Sequence, residues 1–122
     1  MMGYRSDVYI AMTKTRYKDM IAEALCSKED DLEKLFIYPD KTYYDDYSNI
    51  IAFEIYDVKW YNEYSEVNFV ENFVFNSEDG YSFVRIGEEF EDVDHQSDGG
   101  YYEEDKWYSV FNVYHKVEVD LT

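Results

Sequence analysis

Asp92, Asp94 and Asp98, followed by Gly99 and Gly100 and then by Glu103, imitate the alternating carboxylates and glycine turn of a calcium loop. The register fails. Counted from Asp92, position 6 is Ser97 where an EF-hand needs glycine, and Glu103 reaches position 12 only because the acidic run is long. No metal site is therefore expected. The remaining groups that could do chemistry are few. His95 and His115 are the side chains whose ordinary pKa suits proton transfer near neutrality. His115 alternates with valines and reads as a half-buried strand residue, and the carboxylates around His95 are expected to favour its charged form. Cys26 sits near the end of a helical pattern, where a reactive thiol would want a nearby His or a helix N-terminus, and reads as a buried small hydrophobe. With five scattered glycines there is no phosphate-cradling loop, and nucleophile motifs are missing. The expectation is a chain that is not an enzyme and holds no cofactor.

What the residues do offer is charge. The formal net charge is −17 with 28 Asp and Glu against 11 Lys and Arg. The imbalance is uneven: residues 1–36 carry six basic and seven acidic side chains, residues 37–122 five basic and twenty-one acidic. Between Glu88 and Asp105 lie nine carboxylates and no Lys or Arg, interleaved with aromatic residues. Such a surface is repelled by nucleic acid and by anionic membranes and attracted to basic protein surfaces. Duplex DNA carries about one phosphate charge per 1.7 Å of axis, a row that carboxylates on a rigid surface approximate. Tyrosines among the acids add contact area at low entropic cost. A purely solubilising face would instead scatter its acids among lysines and carry fewer aromatics. The expected partner-binding residues are Tyr43, Tyr44, Asp45 and Asp46 in one stretch. Glu88, Glu89, Glu91, Asp92, Asp94, Asp98, Tyr101, Tyr102, Glu103, Glu104 and Asp105 form the other. Glu63, Glu66 and Glu71 add charge around a helical segment.

These residues need elements to hold them. Val8, Ile10 and Met12 alternate with Asp7 and Tyr9, which predicts a strand over about 4–13. Tyr17, Met20, Ile21, Ala24 and Leu25 then fall on one stripe of a helix, with Thr13 or Thr15 as N-cap. Ser27 reads as a fresh cap for a short second helix ending before Pro39, and residues 39–49 read as a polar turn region. A central strand follows, with Ile51, Phe53 and Ile55 on one side and Ala52, Glu54, Tyr56 and Val58 on the other. The next helix runs through Val67, Val70, Phe73 and Val74, from Ser65 as N-cap to Gly80 as stop. Residues 81–87 read as a strand. After the acidic loop, the regular alternation from Tyr108 to Leu121 predicts one long strand paired with it. The expected architecture is a single α+β domain over 1–122, in the order β-α-α-β-α-β-β. It has a mixed or antiparallel sheet of about four strands with two helical units packed on one face. One cysteine and the lack of a signal-like start or of a long apolar run predict a reduced, soluble, cytoplasmic setting with no membrane partner. Exposed strand tyrosines such as Tyr108 and Tyr114 leave the oligomeric state open.

Three stretches, MGYRSDVYIAM at 2–12, DVKWYNEYSEV at 57–67 and YSFVRIGEEFEDV at 81–93, resemble a group of small bacteriophage and prophage proteins. In these, the patterns MGYRSDV, VKWYxxYxxV and FVRIGExxxD recur in that order. On that pattern Met2 matches the start and Met1 is an added residue. The resemblance brings no catalytic residues. It implies a phage origin, action in the host bacterial cytoplasm and an accessory role in infection, such as inhibition of host CRISPR or restriction systems. Together with the charge, the expected function is inhibition of a host defence or nucleic-acid-processing protein by occupying its basic nucleic-acid-binding surface. Two alternatives stand beside it: a nucleotide-signal sponge using Arg5, Lys14, Arg16 and Lys18, and a virion or assembly accessory protein.

Overall fold

The computed structural model describes residues 3–27, 39–45, 49–61, 63–78, 80–89, 91–98, 111–113 and 117–119. Its elements are β1 (Ser6–Thr13), α1 (Lys14–Ser27), β2 (Lys41–Asp45), β3 (Ile50–Val58), α2 (Ser65–Phe75), β4 (Tyr81–Gly87), β5 (Val93–Asp98), β6 (Phe111–Val113) and β7 (Val117–Val119). Strands β1 to β5 form one antiparallel sheet in the order β2-β3-β1-β4-β5, and β6 and β7 pair in a separate two-stranded sheet. The chain is an α+β fold with both described helices on one face of the sheet.

The two periodicities explain the assembly. Val8, Ile10 and Met12 of β1, Ile51, Phe53 and Ile55 of β3, and Tyr81 and Phe83 of β4 point to one face. They form one cluster there with Met20 and Ala24 of α1 and Val67, Val70 and Val74 of α2. Because β1 is the middle strand, its other face is buried too: Tyr9 and Ala11 pack with Ile50, Ala52 and Val84. Thr13 caps α1 as expected, its Oγ1 accepting the Arg16 N–H at 3.1 Å. No basic residue lies in the last turn of α2. Arg16 of α1 supplies that charge instead, donating to the Phe73 carbonyl (2.9 Å) and to Ser77 Oγ (3.2 Å), with its guanidinium carbon 3.7 Å from the Phe73 ring centroid.

Several expectations give way. Residues 41–45 form a strand, because Thr and Tyr suit an extended edge and β3 supplies hydrogen-bonding partners along its length. The acidic loop contains β5, which pairs with β4 from Ile86↔Val93 to Tyr81↔Asp98. An edge strand needs little apolar burial, so VDHQSD hides its strand character. The partner of β4 is thus β5, and the long terminal strand is replaced by the short β6–β7 pair, where Val113 stands opposite Val117. Ser65 is the first helical residue of α2; the capping position is Tyr64, which makes no side-chain cap. The helix ends at Phe75, and Gly80, at φ 103°, turns the chain into β4. Val58 packs with the helix-side cluster, opposite to its alternation, because β3 carries one extra residue between Ser6↔Val58 and Val8↔Ile55. Asp57 sits at φ 58° in that bulge. Cys26 is exposed. Ser27, expected to cap a second short helix, is instead the last residue of α1, and the rest of that expected helix lies outside the described residues.

A candidate protein-binding site at the β4–β5 edge

The acids between β4 and β5 are held by a hydrogen-bonded clamp. Arg85, on the helix side of β4, reaches Asp92 through Nη2 to Oδ1 (2.6 Å) and Nη1 to Oδ2 (3.2 Å). Its Nε donates to Asp94 Oδ2 (2.8 Å) and its Nη1 to the buried Ser6 hydroxyl (3.0 Å). The Tyr4 hydroxyl donates to Asp92 Oδ2 (2.5 Å) and accepts the Glu89 N–H (3.0 Å), so one side chain fixes both ends of the turn. Gly87 donates its backbone N–H to the Asp92 carbonyl at 2.8 Å. A Cβ there would collide with the Asp92 carboxylate and the Tyr4 hydroxyl. The Arg85 guanidinium and then the Tyr4 hydroxyl hold the Asp92 carboxyl below its ordinary range. In return the two aspartates raise the Arg85 pKa, against the opposing effect of burial.

This clamp sorts the predicted acids. Asp92 is an internal partner of Arg85, whereas Glu88, Glu89 and Glu91 are exposed on the turn it braces. Asp94 serves both roles: its side chain remains 56% exposed beside an Arg85 that is 15% exposed. Asp98 is exposed at the far end of β5. His95 behaves opposite to expectation. It lies across from Val84 on the other face of the sheet, half-buried, and burial lowers its pKa, so it stays neutral and does not offset the acids.

The chain was compared with protein-family models, with curated proteins and with solved structures. It matches none of them.

The structure separates the two predicted stretches. Tyr43, Tyr44 and Asp45 lie on β2 and Asp94 and Asp98 on β5, the outer strands on opposite edges of the sheet. Four strand spacings of about 4.8 Å put the two edges roughly 19 Å apart. Tyr43 also has a partner of its own: its hydroxyl donates to Glu54 Oε2 at 2.5 Å, and Glu54 is only 4% exposed. Asp46, Tyr101, Tyr102, Glu103, Glu104, Asp105 and His115 lie outside the described residues. Glu71 is not a free surface charge, since its Oε1 accepts the Trp60 indole N–H at 2.8 Å.

Sequence reasoning missed the convergence of residues 2–12, 57–67 and 81–93. Tyr4 and Ser6 from the first reach Asp92 and Arg85 from the third. Arg5 donates to the Asp57 carbonyl (2.9 Å), while the Asp57 N–H donates to Asp7 Oδ1 (2.9 Å). Trp60 from the second packs on Phe83 with ring centroids 6.2 Å apart. The signal was present as Arg85, the one cation ahead of the acidic run, with acids seven and nine residues on. Which acid it meets depends on the hairpin register.

Proposed function

We propose that this chain is a phage-derived, non-enzymatic inhibitor. In the host bacterial cytoplasm it docks its acidic β4–β5 edge into the basic nucleic-acid-binding surface of a host defence or nucleic-acid-processing protein. The observation that carries the reading is the clamp of Tyr4, Arg85 and Asp92 beneath Glu88, Glu89 and Glu91. A mimic of a phosphate row must hold its charges in place before binding, because ordering them on contact would subtract from affinity. Here the chain consumes its own nearby cation internally and leaves a braced row of carboxylates facing out. The phage origin rests on the recurring motifs.

Two observations weigh against the sponge alternative. Arg16 is engaged with Phe73 and Ser77, and Arg5 with the Asp57 carbonyl, so half of the cations that would hold a phosphate have structural work. A virion or assembly role would use the same acidic edge without an enzyme target, and detection of the protein in purified particles separates it.

The test begins with an affinity pull-down from expressing bacteria, followed by titration of the recovered partner against rising salt and against duplex DNA. Affinity should fall steeply with salt and DNA should compete. An affinity indifferent to both overturns mimicry.

A further inference from the structure

On the helix side of the β4–β5 edge is an open cleft of about 430 Å³, within the roughly 300–1,000 Å³ common for small-ligand sites. Trp60, Phe75 and Phe83 line its floor and Glu63, Glu71 and Asp94 its walls. Phe75, half-buried, offers the aromatic surface; it meets the buried Phe83 edge-on with centroids 5.3 Å apart, and Trp60, 7% exposed, shows the cleft little beyond its edge. Arg85 also borders the cleft, but its guanidinium is directed to Asp92, Asp94 and Ser6. Glu71 accepts a neutral indole donor, and Glu63 has no ion-pair partner among the described residues. The cleft therefore combines an aromatic surface with two carboxylates that no cation neutralises among the described residues.

We infer that this cleft is a receptor for one arginine side chain of the protein partner. It extends the reading above and rests on it for the source of the cation. A guanidinium suits the site better than an ammonium. It is planar and weakly hydrated, stacks on aromatic surfaces, and bridges two carboxylates through its fork of donors. The same chain already holds a guanidinium this way on the other side of α2, where Arg16 lies over Phe73 and donates to two oxygens. Seated between Glu63 and Glu71, the incoming arginine would sit beside Asp94. It would thereby anchor the acidic edge in one register on the partner.

The test uses the full chain, ¹⁵N-labelled, titrated with N-acetyl-arginine methylamide while the Trp60 indole N–H and the backbone amides of Tyr61, Asp94 and Gln96 are followed. N-acetyl-lysine methylamide, spermidine and sodium chloride at matched ionic strength are the comparison arms. The expected result is a saturable shift confined to these signals for the arginine derivative, with weaker or no response to the others. Glu63→Gln, on an exposed residue whose loss does not threaten folding, and Glu71→Gln should each weaken binding by about tenfold, as loss of one charge-assisted hydrogen bond implies. No saturable shift, or an equal response to spermidine or salt, overturns the proposal. The outcomes separate cleanly from those of the mimicry test. A partner that ignores DNA leaves arginine binding intact, and an unresponsive cleft leaves the salt slope and DNA competition standing.

Discussion

Glu54 shows how this chain tolerates a carboxylate inside its sheet. It is buried on the face away from the helices and accepts the Tyr43 hydroxyl, with Tyr9 and Tyr56 close by. The tyrosines register the charge. The hydrogen bond to Glu54, then burial, pushes Tyr43 up to about 12. Burial foremost, with Asp7 and Glu54 adding to it, pushes Tyr9 up to about 12. Burial and then Glu54 raise Tyr56. Unfolded tyrosine ionises near about 10. The raised folded values mean that stability present below that pH is lost as pH rises from about 10 toward 12. Chemical-denaturation midpoints should fall over that window, and a midpoint flat to pH 12 would contradict the burial of these hydroxyls. Tyr43→Phe should cost about 1–3 kcal/mol at neutral pH, because the Glu54 carboxylate stays buried and loses a donor. On the acid side the signs reverse. His95 and Asp92 both have lowered folded pKa values, so their contributions exist above the unfolded values and erode as pH falls. His95 acts below about 6.5 and Asp92 below about 4. His95→Gln should remove the first of these two losses and leave the second.

Elements carry the next set of consequences. Thr13 both ends β1 and caps α1, so Thr13→Ala should lower stability by about 1 kcal/mol, read as a shift in the urea midpoint. The β4–β5 hairpin depends on Gly87, where any side chain displaces Asp92 and Tyr4. Gly87→Ala should therefore loosen the turn: amide exchange at Glu89 and Asp92 should rise by an order of magnitude or more while the β1–β3 amides stay protected. If exchange at the turn is unchanged, the clamp does not brace it. At this scale the sequence was legible where one face is apolar and the other polar. The periods of α1 and α2 are plain for that reason. It was illegible at β2 and β5, the sheet edges, where a strand is held by backbone pairing and its side chains carry almost no periodic signal. The bulge at Asp57 also escaped, since one added residue reverses a face without altering composition.

Over the whole molecule the sheet works as a spacer. Its five strands hold the Tyr43 edge and the acidic edge on opposite sides, and in its core Phe53, 1% exposed, stands between β1 and β2 and joins β3 to Tyr17 of α1 at a centroid distance of 4.9 Å. Phe53→Ala should cost about 3–5 kcal/mol, a large part of the roughly 5–15 kcal/mol that holds a domain together. Thermal unfolding should then begin near physiological temperature. Composition and periodicity alone determined that this chain is strongly acidic, folds as α+β with helices on one sheet face, and concentrates negative charge after β4. Those properties are local or additive. Tertiary structure decided which carboxylates remain available, because Arg85 can meet Asp92, Asp94 and Ser6 only after β1, β4 and β5 are in register. It also decided that Tyr43 belongs to a buried Glu54 and not to the acidic edge, and that Trp60, Glu63 and Glu71 border one cleft. Pairing between residues 11 to 88 positions apart is a property of strand order and register, which no local pattern encodes.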